Sequence, residues 1–492
     1  MNVSQFYTAN DHFVVVPAIL LALFACALLL LDTWLIPNPK YRKILILAFV
    51  FPGLGFSGFQ LWRLQMALSA SGANELTAFN GSITMDGFAL FFNWIFLISS
   101  FIVSIVSYKY MEVEGEHHGE YYALILFAQC GMFFLAAGTD LVTLFIGLEL
   151  MALCFYIMVG FLRGERRSNE AAMKYLILGA FSSGFLAYGF SLMYGMSGST
   201  KLREITTAIA ARDPWDPVVF LMMATTAVGL LFKISAVPFH MWAPDAYEGA
   251  PTTVTAYLSV ASKAASFAFL MRIFMGPLAT VRPVWEPMMI GVAVATMTIG
   301  NLAAITQSNI KRLLAYSSIS HAGYMLLGLI AGNPTGVKGV AVYVMVYAFM
   351  NLGAFAVVIA LRRKGIIGED VDDLSGLMHK SPGYAILMLV FLLSLAGIPP
   401  TAGFLGKYYI FLSLIETGHY ALAVVATLYV AVALYYYFRI VRSMFVGEAT
   451  EKAPVTSSVG LRFALAAAGI MTLVVGIYPE PFLQMAQSSL PK

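Results

Sequence analysis

The stretch PVVFLMMATTAVGLLFKISAVPFHM, residues 217–241, decides how the rest of the chain reads. It is long and apolar enough to cross a bilayer, yet it carries Lys233 deep inside and Pro238 five positions later. A lysine at that depth costs about 2.5–3.5 kcal/mol on insertion scales. A proline there removes a helical hydrogen bond. Glu149, Lys174, Lys263 and Lys407 also fall inside apolar segments. A row of ionisable groups at membrane depth points to a chain that moves charge, protons above all.

Composition makes the membrane setting explicit. Apolar residues are 60% of the 492 and charged residues only 11%, against roughly 25% charged in soluble domains. The net charge of +3 is small and dispersed and argues for no nucleic-acid partner. Cys26, Cys130 and Cys154 lie in apolar runs without CxxC or Cys/His spacing, so neither a disulfide framework nor a metal site is indicated. The N-terminal MNVSQFYTANDHF lacks a basic region, so the first apolar stretch is expected to be a retained span.

Hydropathy predicts an all-α polytopic membrane protein of about fourteen spans, at 12–36, 43–64, 87–109, 121–138, 140–162, 170–195, 217–241, 251–275, 284–306, 311–331, 338–361, 383–414, 420–441 and 459–486. No strands are expected, because backbone facing lipid must satisfy its own hydrogen bonds. Seventeen lysines and arginines flank the odd-to-even connections, among them Lys40, Arg163, Arg167, Arg363, Lys364 and Lys452, and eight lie at the other end, including Lys492. By the positive-inside rule both termini then face away from the cytoplasm.

The span at 383–414 is too long for one rod. Its 32 residues would reach about 48 Å, against a hydrocarbon core of about 30 Å. Pro399 and Pro400 follow Gly397, so two half-helices around an irregular stretch are expected. Ser235-Ala236-Val237-Pro238 resembles Leu395-Ala396-Gly397-Ile398-Pro399, and each has a lysine nearby. Five spans separate the two sites, which predicts two inverted five-helix repeats, spans 4–8 and 9–13, each with a proline-broken helix. The single membrane domain would then divide into three N-terminal spans (1–120), a first repeat (121–275), a second repeat (284–441) and a C-terminal span (442–492).

Glu149, in LFIGLELMAL, is the natural partner for Lys233. Moving a carboxylate towards or away from a buried ammonium changes how firmly the ammonium holds its proton. The bland alternative is a static ion pair between helices. Lys263 sits among small residues in SVASKAASF. His321, beside Ser317, Ser318 and Ser320, has the side chain best suited to proton exchange near neutrality, although a lone histidine is as often a hydrogen-bonded core residue. His240 follows Pro238 and can feed or end a path. Lys174 has Glu170 four residues before it and can reach the interface. Asp86 and Asp140, at span starts, suit helix caps, and Lys311-Arg312 suits a positive-inside anchor. The GxGxxG of Gly53–Gly58 lies inside a span with no preceding strand, so it suits close helix packing rather than a dinucleotide.

LLFKISAVPFHMWAPDAYEGAPTTVTAYLSVASKAA (230–265), SNIKRLLAYSSISHAGYMLLG (308–328) and LSLAGIPPTAGFLGKYYIF (393–411) closely resemble the antiporter-like membrane subunits of respiratory complex I, and the resemblance runs along essentially the whole chain. Within that family it is nearest the subunit N branch, counterpart of mitochondrial subunit 2. The length suits fourteen spans without the lateral helix of subunit L, and Lys407 stands where subunit M has a glutamate. The resemblance implies a proton-translocating subunit of bacterial NADH-quinone oxidoreductase in the cytoplasmic membrane. It implies no cofactor in this chain, with FMN, iron–sulfur clusters, NADH and quinone in partner subunits, and neighbours of the M, K and J types. It also implies proton-transfer roles for Glu149, Lys233, Lys263 and Lys407, with Lys174 implicated and His321 and His240 as further relay members. Related chains serve multisubunit cation/proton antiporters and membrane-bound hydrogenases, the alternative reading.

Overall fold

Pro217 and Asp216 begin the decisive helix together: the proline sits in the first turn and the Asp216 carboxylate accepts from the Val218 N–H at 2.8 Å. Local signals of this kind set most boundaries in the computed structural model, which describes residues 9–35, 39–362, 368–448 and 457–488. Arg363, Lys364, Lys452 and Lys492, used above for orientation, lie outside the described residues.

The chain opens with α1 (Ala9–Leu30), a π turn, and α2 (Pro39–Ser71). A two-stranded antiparallel hairpin follows, β1 (Glu75–Ala78) and β2 (Ile83–Asp86). This corrects the expectation of no strands. The argument against strands applies to backbone in the hydrocarbon; the hairpin lies in a connection between helices and pairs its own N–H and C=O groups. Its turn is closed by Gly81 N–H donating to Ala78 O at 3.1 Å.

Then come α3 (Gly87–Glu114), α4 (Gly119–Ala137), α5 (Leu141–Val159), α6 (Arg166–Ser197) and the short amphipathic α7 (Leu202–Ala210). Asp86 caps α3 through the Ala89 N–H, and Asp140 caps α5 through the Val142 and Thr143 N–H groups. α8 (Pro217–Lys233) stops at the lysine, and α9 (Trp242–Gly249) resumes after the break. α10 (Thr252–Tyr257) continues through a π turn, Leu258–Ser262, into α11 (Lys263–Phe274). α12 (Arg282–Ile305), α13 (Ile310–Ala331), α14 (Pro334–Leu361) and the single turn α15 (Leu377–Lys380) follow. The long predicted span is two helices, α16 (Pro382–Ala396) and α17 (Ala402–Glu416), and α18 (Tyr420–Val446), α19 (Val459–Ile477) and α20 (Glu480–Ser488) complete the chain.

Among the described residues, twelve helical runs are long and apolar enough to cross a membrane. The predicted spans at 217–241 and 383–414 are not continuous: α8 and α16 are shorter apolar helices that end at the expected breaks. The α10–α11 run, α13 and α14 are almost wholly enclosed, while α1, α2 and α18 turn most of their surface outward. Polar side chains follow the same division. Lys263, Ser317, Ser318, Ser320, His321 and Asn351 all sit on the enclosed helices and are buried, because hydrocarbon offers them no partner. Phe181 and Tyr188 on α6 and Leu428 and Tyr435 on α18 face outward. The glycines of the GxGxxG stretch do pack helices: a Cβ on Gly58 would lie 2.8 Å from Leu97 and one on Gly53 3.0 Å from Phe24.

Candidate functional site: a buried row of lysines

Helix α8 ends at Lys233, which is 4% exposed. The Ile234 N–H still reaches Leu230 O at 3.3 Å, and Ser235 then takes a φ of 61°. Two side chains hold the break in place. Trp242 Nε1 donates to Phe232 O at 2.9 Å, and Thr296 Oγ1, from α12, accepts the Val237 N–H at 3.0 Å. The ammonium therefore stands where a helix leaves carbonyls unpaired and its dipole favours positive charge.

Lys233 Nζ donates to the Tyr156 hydroxyl at 3.3 Å and lies 5.6 Å from the centre of that ring. Glu149, two turns earlier on α5, accepts instead from Ser183 Oγ at 2.5 Å. Glu149 and Lys233 are within electrostatic reach of each other but make no direct ion pair; Tyr156 stands at the ammonium in place of the carboxylate. Gly179 on α6 makes room for that phenol, since a Cβ there would fall 2.0 Å from its oxygen.

Lys263 follows the π turn, a local widening common at functional sites. Its Nζ donates to Ser318 O at 2.6 Å and Ser318 Oγ at 2.5 Å on α13. One turn further along α13, His321 has a hydroxyl at each ring nitrogen: Tyr343 at Nδ1 (2.6 Å) and Tyr437 at Nε2 (3.1 Å). The Tyr437 hydroxyl also bonds Ser317. With a donor–acceptor group on both sides, the ring accommodates either tautomer. His321 lies within electrostatic reach of both Lys263 and Lys407.

Lys407 repeats the geometry of Lys233 from the other side of a break. It lies on α17 but reaches back to α16, donating to Leu395 O at 3.0 Å and Ala396 O at 2.8 Å, the last carbonyls of that half-helix. Among the described residues neither Lys263 nor Lys407 pairs with a carboxylate. Among the described residues, three buried polar atoms on the elements that carry the row lack a protein partner: Thr226 Oγ1, Ser235 Oγ and Asn351 Oδ1. His240, beyond Pro238, is buried at 8% exposure.

Lys174 stands apart from the buried row. It is half-exposed and bonds Glu170 and Asp245, both at 2.9 Å. Asp245 also takes Arg312, and Arg312 takes Glu248. Lys311 is buried, with bonds to Ala250 O at 2.7 Å and Glu369 at 2.9 Å. The Lys311-Arg312 pair is thus more than a surface anchor. Reading the sequence missed Tyr156, Tyr343 and Tyr437, and set Ser318 beside His321 rather than at Lys263. Only Tyr156 carried a signal, its seven-residue spacing from Glu149.

Residues 138–433 match the family model described as NADH:quinone oxidoreductase/Mrp antiporter, transmembrane. The chain is 72% identical over 491 residues to NADH-quinone oxidoreductase subunit N 2 of Solibacter usitatus, covering 100% of this chain and 99% of that one. It is 54% identical to NADH-quinone oxidoreductase subunit N 1 of Koribacter versatilis, covering 98% and 96%. A chain in the structure of respiratory complex I from Thermus thermophilus with bound Aureothin is 31% identical, with a TM-score of 0.79 and 96% and 99% coverage. On the broken helices, the buried lysines and these likenesses together, the chain belongs to the antiporter-like membrane subunits of NADH-quinone oxidoreductase, in the subunit N branch.

Proposed function

We propose that this chain carries protons across the membrane as a subunit of an NADH-quinone oxidoreductase. Electron transfer from NADH to quinone in partner subunits would drive it. One observation carries the mechanism: Lys263 and Lys407 are buried ammonium sites bonded to serine and backbone oxygens rather than carboxylates. A static ion pair is not available to them, and a buried cation without one is a group whose proton can be moved.

The relay runs Glu149, Lys233, Lys263, His321, Lys407. A change of charge at Glu149 is felt at Lys233. A proton displaced there changes the field at Lys263, and His321 stands between Lys263 and Lys407. The unpartnered hydroxyls and amide oxygen beside the row are the groups an ordered water would bridge. His240 is a side branch at the first break, and Lys174 acts on the row only through field, from the surface. Pro238, Pro399 and Pro400 keep the two breaks open, exposing polar backbone to the axis.

The proposal extends to the setting. Counting each broken pair as one crossing gives fourteen spans, with spans 4–8 and 9–13 as inverted repeats and both termini on the non-cytoplasmic side of a bacterial inner membrane. M-, K- and J-type subunits are the neighbours. FMN, iron–sulfur clusters, NADH and quinone belong to partner chains, and this chain holds no redox centre. The family model also embraces Mrp antiporters, so the second reading is a cation/proton antiporter subunit; partners that co-purify and oxidise NADH with quinone separate the two. In inverted vesicles carrying the assembled complex, Lys233→Ala is expected to lower the protons moved per NADH oxidised. An unchanged ratio would remove Lys233 from the relay.

A further inference from the structure

Eight charged side chains form one line of alternating sign: Glu170, Lys174, Asp245, Arg312, Glu248, Arg167, Glu369 and Lys311. The line begins in solvent and ends in the interior. The Glu170 side chain is 57% exposed, that of Glu369 12%, and that of Lys311 2%. Clamping α9 to α13 needs nothing so deep, since Arg312 already does it from the rim at 3.0 and 2.8 Å. Burying an ammonium and a carboxylate costs several kcal/mol in desolvation and is weak evidence of a structural purpose.

Where Lys311 points matters more. Its second acceptor, Ala250 O, belongs to the turn that leads into the run carrying Lys263. On α13, Lys311 and Ser318 are seven residues apart, which puts them on one face about 10.5 Å apart. Ser318 is the residue that holds Lys263. Tyr247, buried on α9, is in side-chain contact with Ser318, and its carbonyl accepts from Thr255 Oγ1 at 2.7 Å. Glu369 is fixed at the outer end by its own carbonyl, which accepts from Ile310 N–H at 2.7 Å, and Val371, two residues on, ties the same segment to Ser308 O at 2.9 Å. The other charges that act on Lys311 are Arg167 from α6 and Arg362 just beyond α14.

We propose that Lys311 is a further proton-carrying residue: with Glu369 at its outer side, it loads Lys263 through the column formed by Tyr247 and Ser318. Glu369 takes a proton from the aqueous face and passes it to a Lys311 amine that has given its own proton inward. The ammonium–carboxylate pair is thereby restored and no other reactant is needed. The inference rests on the reading of Lys263 as a relay member.

The test uses inverted vesicles with the whole complex, the proton-to-NADH ratio being normalised to assembled complex. Lys311→Arg is the decisive variant. Arginine keeps the charge and can keep both bonds, but its guanidinium does not release a proton. A structural latch is satisfied by it and a proton carrier is not. The expected result is a loss of ratio as large as that of Lys263→Ala, with Glu369→Gln showing a loss in the same direction. A wild-type ratio in Lys311→Arg, with Lys263→Ala impaired, overturns the role of Lys311 and leaves the relay standing. A wild-type ratio in Lys263→Ala removes the relay reading and this inference with it. Should Lys311→Arg fail to enter the complex, Glu369→Gln decides: a lowered ratio supports the loading path and a wild-type ratio overturns it.

Discussion

Gly397 takes a φ of 85° directly beneath Lys407, and a Cβ there would lie 2.8 Å from the lysine Cδ. Two separate requirements meet at this residue. The left-handed turn ends α16 and frees the Leu395 and Ala396 carbonyls, and the missing side chain lets the ammonium reach them. Gly397→Ala is therefore expected to cost about 1–2 kcal/mol from the backbone alone, read as a lower thermal unfolding midpoint of the purified complex. It should also push the lysine off its carbonyls and lower the proton-to-NADH ratio. A lower midpoint with an intact ratio would mean that the carbonyl contacts stabilise the fold without serving transport.

At the scale of elements, the connection between α3 and α4 carries a histidine with an unusual setting. His117 is packed edge-on against Tyr108 at 4.9 Å and Tyr122 at 5.7 Å, and neither ring nitrogen has a protein partner among the described residues. Burial pushes its pKa down to about 4, below the ~6.5 of a free histidine. The folded connection thus disfavours the protonated ring. Its stability is complete above about pH 6.5 and declines as pH falls from there towards about 4. The opening equilibrium of residues 115–122, taken from hydrogen exchange in the intact complex after correction for the intrinsic slowing of amide exchange at lower pH, is expected to rise several-fold between neutral pH and about pH 5, and His117→Phe should flatten that dependence. Elements also show what was legible beforehand. Asp86 and Asp140 announced helix starts because caps are local, and Pro238 and Pro399 announced the breaks for the same reason. The hairpin at 75–86 escaped notice because the hydropathy argument says nothing about connections. The substitution of Tyr156 for Glu149 at the Lys233 ammonium, and the Ser318 and Tyr437 partners of the row, depend on helices far apart in sequence. The depth of Lys311 was not legible, because a Lys-Arg pair at a span start has the same spelling whether it lies on the rim or beneath it.

Over the whole molecule the charges sort into two rims. At one, Arg362 bonds Glu114 at 2.6 and 2.9 Å, Arg167 bonds Glu248, and Lys311 bonds Glu369, so the connections after α3, α5, α12 and α14 lie together. At the other, Arg272 grips Asp86 at 2.8 and 2.7 Å and Arg203 reaches Glu75 at 3.3 Å. The first rim holds the larger share of lysine and arginine, so the positive-inside rule predicts that it faces the cytoplasm. Gly164→Cys and Glu204→Cys test this at opposite ends, in a chain whose exposed Cys26 has been made serine. A Cβ at Gly164 meets nothing within 4 Å, and Glu204 is exposed, so both thiols can be reached without disturbing packing. A membrane-impermeant maleimide added to spheroplasts should label the cysteine at 204 directly and the one at 164 only after permeabilisation. The result bears on direction as well as topology. Glu369 and Lys311 share the rim with position 164, so cytoplasmic labelling there makes their column an uptake path into Lys263. The reverse pattern would turn the same residues into an exit.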